Sequence, residues 1–470
     1  MKSDFNKRII HLIIFSSCLF LGMIVYLTYF QLFIGDKIVD NPYNKRQWAR
    51  EDNTLRGFIY DRNGVELATT DVVEDTPVRI YPFEKMYSHV IGYSSKQYGK
   101  YGIENYYNDT LMAMNDGTTV ARIKEQITGE MIRGNHLVLT IDHEIQKNAE
   151  RLLRGKRGSI VAIDPSTGEV LAMVSKPDFS PNNLTEQWDR LINDDKSPLL
   201  NRSLSGLYPP GSTYKVVVAA SVLENLNSVD TQHNCTGSIV VDGYEISDYG
   251  KIAHGAVDLK KSLTESCNSN FVRMGVELGV GKIVDISNKF FIGKSIESDM
   301  PLRQSRIPKE SEIESTELGA MSIGQGKLLM TPMHMALVAS TVANNGVMLE
   351  PHIVREIQNF NGRILQRGGG QSHRVISSNI AQELKDMMVA VVNEGTGRNA
   401  RIQGIKVGGK TGTAQTDSGG DHSMFIGFAP ADNPRIAIAV VLENEGRSGG
   451  QAAAPIAREV MQVALKRGGN

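Results

Sequence analysis

The residues whose types and spacing suit covalent chemistry begin with Ser212 and Lys215, which lie three positions apart in the segment Pro209-Pro210-Gly211-Ser212-Thr213-Tyr214-Lys215. On a helix, residues with this spacing are neighbours, with Cβ atoms about 5–6 Å apart. A serine hydroxyl becomes a nucleophile when a base takes its proton. Lysine is such a base only when burial or nearby positive charge lowers its pKa from about 10.4. Taken alone, the segment is more typical of an ordinary capped helix with an exposed lysine.

Two further segments carry polar side chains that suit substrate binding. Ser266-Cys267-Asn268 lies in a dense polar run, which predicts a turn that enters a helix. Lys410-Thr411-Gly412-Thr413 is predicted to be a strand, in which the two threonine hydroxyls point to the same side. With the lysine they would hold a carboxylate, and the glycine would let a ligand backbone approach. Alone, each segment also fits a structural role, as a helix cap or as an edge strand.

Together the three segments form a known signature. Ser-x-x-Lys, Ser-x-Asn and Lys-Thr-Gly, in this order, are typical of active-site serine β-lactamases and penicillin-binding proteins. The sequence departs from the usual Ser-Asp-Asn at one position, where Cys267 is expected to be a small packed residue. The predicted contexts of the segments, a helix start, a turn and a strand, also agree with the signature.

The amino terminus is predicted to anchor the chain in a membrane. Residues Ile9–Gly35 contain no charged residue and exceed the ~20 residues that span hydrocarbon as a helix. Three basic residues precede them, so residues 1–8 are predicted to be a cytoplasmic tail, 9–34 a single membrane-spanning helix, and the rest extracytoplasmic. The alternative is a cleaved signal, but its usual small-residue cleavage site is not evident after residue 32.

The elements that position the three segments are predicted from residue 137 onward. Val216–Leu223 is apolar on every face, which predicts a buried central helix. We expect an antiparallel sheet assembled from both ends of the larger domain, with about 230 residues of mainly helical periodicity inserted between them. The predicted strands and helices around this insertion are strand 137–141, a helix through 145–153, the hairpin 160–163 and 170–174, strands 404–414, 424–428 and 436–442, and helix 452–465.

Composition excludes several other classes of function. A net charge of −1 provides no field for a polyanion, so no nucleic-acid partner is expected. The three cysteines, Cys18, Cys235 and Cys267, cannot form a disulfide framework, and no pair has the spacing of metal ligands. No phosphate-binding loop is present, because Asn288 stands where the first glycine of Gly293-Lys294-Ser295 would need to be.

Over most of its length the sequence resembles a monofunctional (class B) penicillin-binding protein, and most of all the penicillin-binding protein A subgroup. The resemblance implies a serine β-lactamase/penicillin-binding transpeptidase-like α/β (α+β) fold, with a five-stranded antiparallel sheet, helices on both faces and a helical subdomain. Residues 35–150 would be a stalk and a small α+β pedestal (a dimerisation-like domain), and 151–470 the transpeptidase domain. The segments that carry it are Arg56–Gly64, Gly102-Ile103-Glu104, Gly158–Met173, Asn201-Arg202, Gly324-Gln325-Gly326, Thr331-Pro332, Glu394–Gly397 and Gly427–Pro430.

The resemblance also implies roles for the site residues. Ser212 would be acylated by the penultimate D-alanine of a peptidoglycan stem peptide, and Lys215 would take its proton. Ser266 would pass that proton to the leaving amine, and Asn268 would hold the donor backbone. The third segment, Lys410, Thr411, Gly412 and Thr413, would bind the carboxylate, and the N–H groups of Ser212 and Thr413 would form the oxyanion hole.

The implied ligands and partners are stem peptides that end in D-Ala-D-Ala, β-lactam antibiotics, and a glycan polymerase of the shape, elongation, division and sporulation (SEDS) group. No cofactor or metal is expected. Two alternatives stay open: a D,D-carboxypeptidase or β-lactamase that uses the same serine, and a non-catalytic β-lactam sensor or scaffold. Hydrolysis needs a base that activates water, and neither Glu314 nor Glu317 belongs to a motif that would place it in the site.

Overall fold

The computed structural model describes residues 2–34, 53–74, 76–114, 131–415 and 420–467. It begins with helix α1 (Lys2–Tyr29), which continues as a π-helical turn over Phe30–Ile34. The stretch Asn6–Phe33 spans 28 residues, has a mean hydropathy of 2.3 and is not buried against the rest of the described structure. At 1.5 Å per residue it is about 40 Å long, enough to cross a bilayer core of about 30 Å. The predicted stalk begins at residue 35, and residues 35–52 lie outside the described residues.

Short elements fill the described part of the chain between residues 53 and 139. They are β1 (Thr54–Leu55), β2 (Ile59–Tyr60), β3 (Glu66–Val73), β4 (Thr76–Ile80), β5 (Tyr93–Ser95), β6 (Gly99–Tyr101), α2 (Ile103–Tyr106), α3 (Asn108–Leu111), β7 (Ile132–Arg133) and β8 (His136–Leu139).

Longer helices and strands follow. They are α4 (His143–Leu152), β9 (Gly158–Ile163), β10 (Val170–Lys176), α5 (Leu184–Asn193), α6 (Arg202–Ser205), α7 (Lys215–Glu224), β11 (His233–Cys235), β12 (Ser238–Val241), β13 (Tyr244–Ser247), β14 (Gly255–Val257), α8 (Leu259–Glu265), α9 (Asn268–Leu278), α10 (Val280–Lys289), α11 (Ser315–Ser322), α12 (Pro332–Ala343), β15 (Val347–Leu349), β16 (Val354–Gln358), β17 (Ile364–Arg367), β18 (Ser372–Arg374), α13 (Ser378–Asn393), β19 (Gly408–Ala414), β20 (His422–Ala429), β21 (Ile436–Leu442) and α14 (Gly449–Arg467).

The five-stranded sheet has the order β10-β9-β21-β20-β19, and every neighbouring pair is antiparallel. Strand β21 is buried on both faces, because Ile438 and Val440 belong to one apolar cluster whereas Ala437 and Ala439 belong to another. Helices α4 and α14 pack on the first face, and α12 packs on the second. The predicted sheet, built from both ends of the larger domain and covered on both faces, is therefore confirmed.

A six-stranded sheet connects the pedestal region to the rest of the chain. Its order is β17-β16-β8-β2-β3-β4, so two of its strands come from residues 354–367, far beyond the predicted pedestal. The segment predicted as mainly helical therefore also contains short strands, whose pairing partners hydrophobic periodicity could not reveal. The predicted boundary after residue 150 falls within α4, a helix whose Ile145 and Ala149 pack in the same cluster as Ile438.

The predicted central helix forms as α7, where every side chain from Lys215 to Val222 is buried. The helix has no exposed face over these residues because nearly all of them are apolar and pack on neighbouring helices, among them α9, α10 and α13. Its first turn therefore places Lys215 in the interior of the protein.

Candidate active site

The turn that carries Ser212 is a 3₁₀ helix, Gly211–Tyr214, that leads directly into α7. Its Gly211 has a φ of +54°, a conformation that favours glycine. The Gly211 N–H donates to the Gly324 carbonyl at 2.9 Å. On the other side, a Cβ atom at Gly211 would lie only 2.7 Å from the Thr413 carbonyl oxygen. Gly324 and β19 thus clamp the turn from both sides, and Ser212, the residue after Gly211, remains partly exposed.

Lys215 is fully buried, and its Nζ is surrounded by acceptors. It donates to the Ser266 carbonyl at 2.7 Å and to Asn268 Oδ1 at 2.6 Å, and it lies 3.3 Å from Ser266 Oγ. Burial lowers the pKa of Lys215 to about 7, although nearby Cys267 and Asp248 act in the opposite direction. A neutral amine has two N–H groups, which suffice for the two short hydrogen bonds. Its lone pair then remains to accept a proton.

The second segment forms the predicted turn between two helices, α8 and α9. Ser266 ends α8 in the left-handed conformation, with a φ of +61°. Asn268 begins α9, and its Nδ2 donates to the Ser247 carbonyl at 2.8 Å. Its backbone N–H donates to the Asp248 carboxylate. Asp248 therefore fixes the segment, a role that sequence reasoning missed because this aspartate belongs to no motif.

Lys410 joins the second segment to the third. Its Nζ is fully buried and donates to Ser266 Oγ at 2.8 Å and to the Thr411 carbonyl at 3.0 Å. Burial, and then the charge of Lys215, hold the pKa of Lys410 well below its usual range. The structure therefore brings together four of the predicted site residues, Lys215, Ser266, Asn268 and Lys410, in one hydrogen-bonded network.

The rest of the third segment lies against the turn that carries Ser212. A Cβ atom at Gly412 would lie 2.9 Å from Thr213 Cγ2, so this glycine lets the turn approach, whereas the sequence analysis assigned it to a ligand backbone. Thr411 and Thr413, whose hydroxyls were predicted to act together on a carboxylate, lie in different surroundings. Thr411 is buried and its hydroxyl bonds to that of Thr396 at 2.7 Å, whereas Thr413 is partly exposed and its Oγ1 accepts from Gly449 N at 3.4 Å.

Glu317, which was considered as a base for hydrolysis, accepts a hydrogen bond from the backbone. Its Oε1 accepts from the Lys327 N–H at 2.8 Å, and Gly326 lies directly against its carboxylate. This contact holds the turn that follows Gly324, the glycine that clamps Gly211. In the sequence, Gly324 was noted only as part of Gly324-Gln325-Gly326. That motif did not indicate that Gly324 contacts Gly211.

The Gly324 contact gives a stability prediction. Gly324→Ala places a Cβ atom 2.0 Å from the Gly211 carbonyl oxygen. In the matched variant Gly404→Ala, at the same φ of +75°, the Cβ atom would have no atom of the described residues within 4 Å. The two variants share the conformational cost, so we expect Gly324→Ala to lose about 1–3 kcal/mol more in unfolding free energy, because of the overpacked contact. Denaturant unfolding of both full-length variants measures the difference. Equal losses would contradict the proposed clamp.

Comparison with protein families matches both parts of the chain. Residues 158–462 match the penicillin binding protein transpeptidase domain. Residues 56–137 match the penicillin binding protein A dimerisation domain. The first match covers well over half of the chain and includes all three signature segments.

Similar proteins and structures extend over nearly the whole chain. The peptidoglycan D,D-transpeptidase PbpA of Mycolicibacterium smegmatis is 32% identical over 468 residues, covering 93% of this chain and 94% of that protein. Penicillin-binding protein A of M. tuberculosis, as a ceftriaxone acyl-enzyme, matches with a TM-score of 0.83 at 29% identity, covering 88% of this chain and 99% of that one. A D,D-transpeptidase domain from Eggerthella lenta matches with a TM-score of 0.81 at 32% identity, covering 89% and 99%. The chain thus belongs to the transpeptidase family of penicillin-binding proteins and is similar throughout to its penicillin-binding protein A members.

Proposed function

We propose that this protein is a penicillin-sensitive peptidoglycan D,D-transpeptidase that works through an acyl-enzyme on Ser212. The observation that carries the proposal is the meeting of two buried amines at Ser266 Oγ, with Lys215 at 3.3 Å and Lys410 at 2.8 Å, beside the turn that bears Ser212. The names of the relatives, peptidoglycan D,D-transpeptidases, support the reaction. The acyl-enzyme complexes of M. tuberculosis penicillin-binding protein A with ceftriaxone, imipenem and penicillin G support the covalent intermediate.

In the proposed acylation, neutral Lys215 takes the Ser212 proton as the serine oxygen attacks the penultimate D-alanine carbonyl. The backbone N–H groups of Ser212 and Thr413 stabilise the oxyanion. The proton then passes through Ser266 to the amine of the terminal D-alanine, which leaves as the tetrahedral intermediate collapses to an ester. The amine of a second stem attacks that ester, its proton returns to Ser212, and the two stems are cross-linked.

The two buried amines of Lys215 and Lys410 suit a donor stem peptide that ends in a carboxylate. Lys410 would hold the terminal carboxylate of the stem, together with the hydroxyls of Thr411 and Thr413. A carboxylate beside Lys410 would favour its protonated form, so substrate binding would place the positive charge on Lys410 and leave Lys215 as the base. Asn268, fixed by Ser247 and Asp248, would hold the donor backbone.

The proposed location is the plasma membrane. The exposed apolar helix α1 would span it once, with residues 1–8 cytoplasmic and the pedestal and catalytic regions, 35–150 and 151–470, outside. This placement would bring the serine to the side on which stem peptides are cross-linked. A SEDS-type glycan polymerase would contact α1 and the pedestal.

The nucleophile is tested by covalent labelling of the full-length protein in detergent with a fluorescent penicillin. We expect Ser212→Ala to abolish the labelled band, because the variant has no hydroxyl to acylate. The matched control is Ser228→Ala, an exposed serine in the 3₁₀ turn just after α7, which should label like the wild type. Undiminished labelling of Ser212→Ala would place the nucleophile elsewhere.

The lifetime of the adduct distinguishes transfer from hydrolysis. We expect the penicilloyl adduct to persist for minutes, because Glu317 and Asp248 accept hydrogen bonds from the backbone N–H groups of Lys327 and Asn268. Among the described residues, neither carboxylate hydrogen-bonds to Ser212 or to the amines of Lys215 and Lys410. An efficient hydrolase, with a typical turnover of about 10 s⁻¹, would clear the label within about a second. The loss of label after a chase with unlabelled penicillin measures this rate. Loss of the label within about a second would support the β-lactamase alternative.

The rate of acylation should depend on pH through Lys215. With a pKa of about 7, the amine is about one-tenth neutral at pH 6 and about nine-tenths at pH 8, so the rate should rise about tenfold between them. Asp248, Cys267 and Lys410 are the ionisable groups that face it. Labelling with fluorescent penicillin, quenched at fixed times from pH 5.5 to 8.5, measures how the acylation rate depends on pH. Lys215→Arg, which stays charged, should remove the rise, and a flat wild-type profile would contradict the assignment of the base.

A further inference from the structure

A cavity outside the candidate active site lies between the pedestal and the larger domain. Its volume is about 340 Å³, at the lower end of the range for ligand sites. Strands β4 and β5 line it from the pedestal, through residues such as Val78 and Ser95, and the start of α5 lines it from the larger domain, through Leu184 and Thr185. The described residues of its wall include none of the three signature segments.

The charged side chains in the wall of this cavity are basic. Arg56, Arg79 and Lys96 line it, and among the described residues no carboxylate does. Behind the wall, the fully buried Glu104 accepts from Arg56 Nε at 2.5 Å and from Arg79 Nε at 2.7 Å. One carboxylate thus balances two guanidinium groups, which stay charged at any physiological pH. The three side chains therefore leave a net charge of +1 beside the cavity, which favours an anionic ligand.

Arg79 also has a buried donor group without an acceptor. Its Nη1 donates to the Gly57 carbonyl at 2.8 Å and to Thr70 Oγ1 at 3.1 Å, whereas its Nη2 has no hydrogen-bond partner within the described structure. The side chain is only 8% exposed. A buried donor left unpaired costs free energy, which an acceptor oxygen supplied from the cavity would recover. Arg79 is therefore the group in the wall that most requires a ligand.

Two other parts of the wall add donor capacity. Ser95 Oγ accepts from the backbone N–H groups of Gln97 and Tyr98, at 3.3 and 3.2 Å, so its own proton remains to be donated to a ligand. Helix α5 begins at the cavity without a side-chain cap, and the positive end of its dipole attracts anions. Glu186, in the first turn of α5, is exposed and does not belong to the wall.

We propose that this cavity binds the phosphate group of a small hydroxylated ester. The oxygens of a phosphate are arranged tetrahedrally, which suits donors from three separate elements, β4, β5 and α5, better than a planar carboxylate does. The rest of the cavity, walled by Pro77, Val78 and Pro181, would hold the carbon skeleton. A soluble phosphate monoester and the phosphoglycerol headgroup of a membrane lipid share this chemistry. The site belongs to no sequence motif, because only the fold brings its residues together.

Calorimetric titration of the full-length protein in non-ionic detergent, at constant chloride concentration, tests the site with glycerol 3-phosphate. We expect one molecule to bind per chain with a dissociation constant of about 1 mM or below. D-Glycerate, which carries a carboxylate on a similar skeleton, should bind at least about tenfold more weakly, and uncharged glycerol should give no saturable heat. No saturable binding of glycerol 3-phosphate up to about 20 mM, or equal affinity for glycerate, would overturn the proposal.

Two valine variants localise the binding. Val78 lines the cavity and is 40% exposed, whereas Val73, on the same β3–β4 hairpin, is 54% exposed and lies outside the wall. Val78→Glu brings a negative charge into the cavity and should weaken the binding of glycerol 3-phosphate at least about tenfold. Val73→Glu is the matched control and should bind like the wild type. Both positions are exposed, so both variants should fold, which circular dichroism checks. Equal affinities of the two variants would contradict the assigned site.

Native mass spectrometry distinguishes the two sources of the phosphate. The protein is released from detergent micelles that contain equal amounts of phosphatidylglycerol and phosphatidylcholine. Phosphatidylglycerol retained by the wild type and by Val73→Glu, but lost from Val78→Glu, would assign the site to a lipid headgroup. Binding of glycerol 3-phosphate without this difference in lipid retention would assign it to a soluble ester. Ser212→Ala should bind glycerol 3-phosphate like the wild type, which separates this proposal from the catalytic one.

Discussion

The candidate active site depends on two amino groups that share one hydroxyl in the protein interior. Lys215 Nζ and Lys410 Nζ both lie within hydrogen-bonding distance of Ser266 Oγ, and both side chains are fully buried. Two ammonium ions cannot both remain charged cheaply in such a place, because burial penalises each one and each repels the other. One amine is therefore driven towards the neutral form, which is the state that a general base requires.

Holding this arrangement requires rigid supports from three distant parts of the chain. Lys215 is fixed by a helix with no exposed face from Lys215 to Val222, Lys410 by an edge strand of the five-stranded sheet, and Ser266 by a left-handed turn between two helices. Backbone approaches complete the positioning, since Gly211 contacts Gly324 on one side and Thr413 on the other. A larger residue at these glycines would separate the parts. The sequence thus uses small residues where the three segments meet.

Sequence reasoning predicted the elements that have strong periodicity and the sheet built from both ends of the larger domain, but it missed the pairing of the shorter strands. Strand 436–442 and the buried helix beginning near Val216 were predicted almost as observed, because unbroken apolar runs leave few other choices. The pairing of β16 with β8 was not predicted, since a short strand does not encode its partner. Among the site residues, the three motifs were visible in the sequence, but Asp248 and Thr396 were not. Their contacts with the motif residues exist only after folding.

The one departure from the usual motif has a physical meaning in this fold. An aspartate at the middle of the second segment would place a carboxylate next to the turn that bonds Lys215, where negative charge favours the protonated amine. Cys267 instead is neutral when it holds its proton, and it packs with Cys235 and Val257 in a small buried cluster. The segment thereby avoids a carboxylate beside Lys215, so the low pKa of Lys215 and the cysteine at position 267 are consistent parts of one electrostatic arrangement.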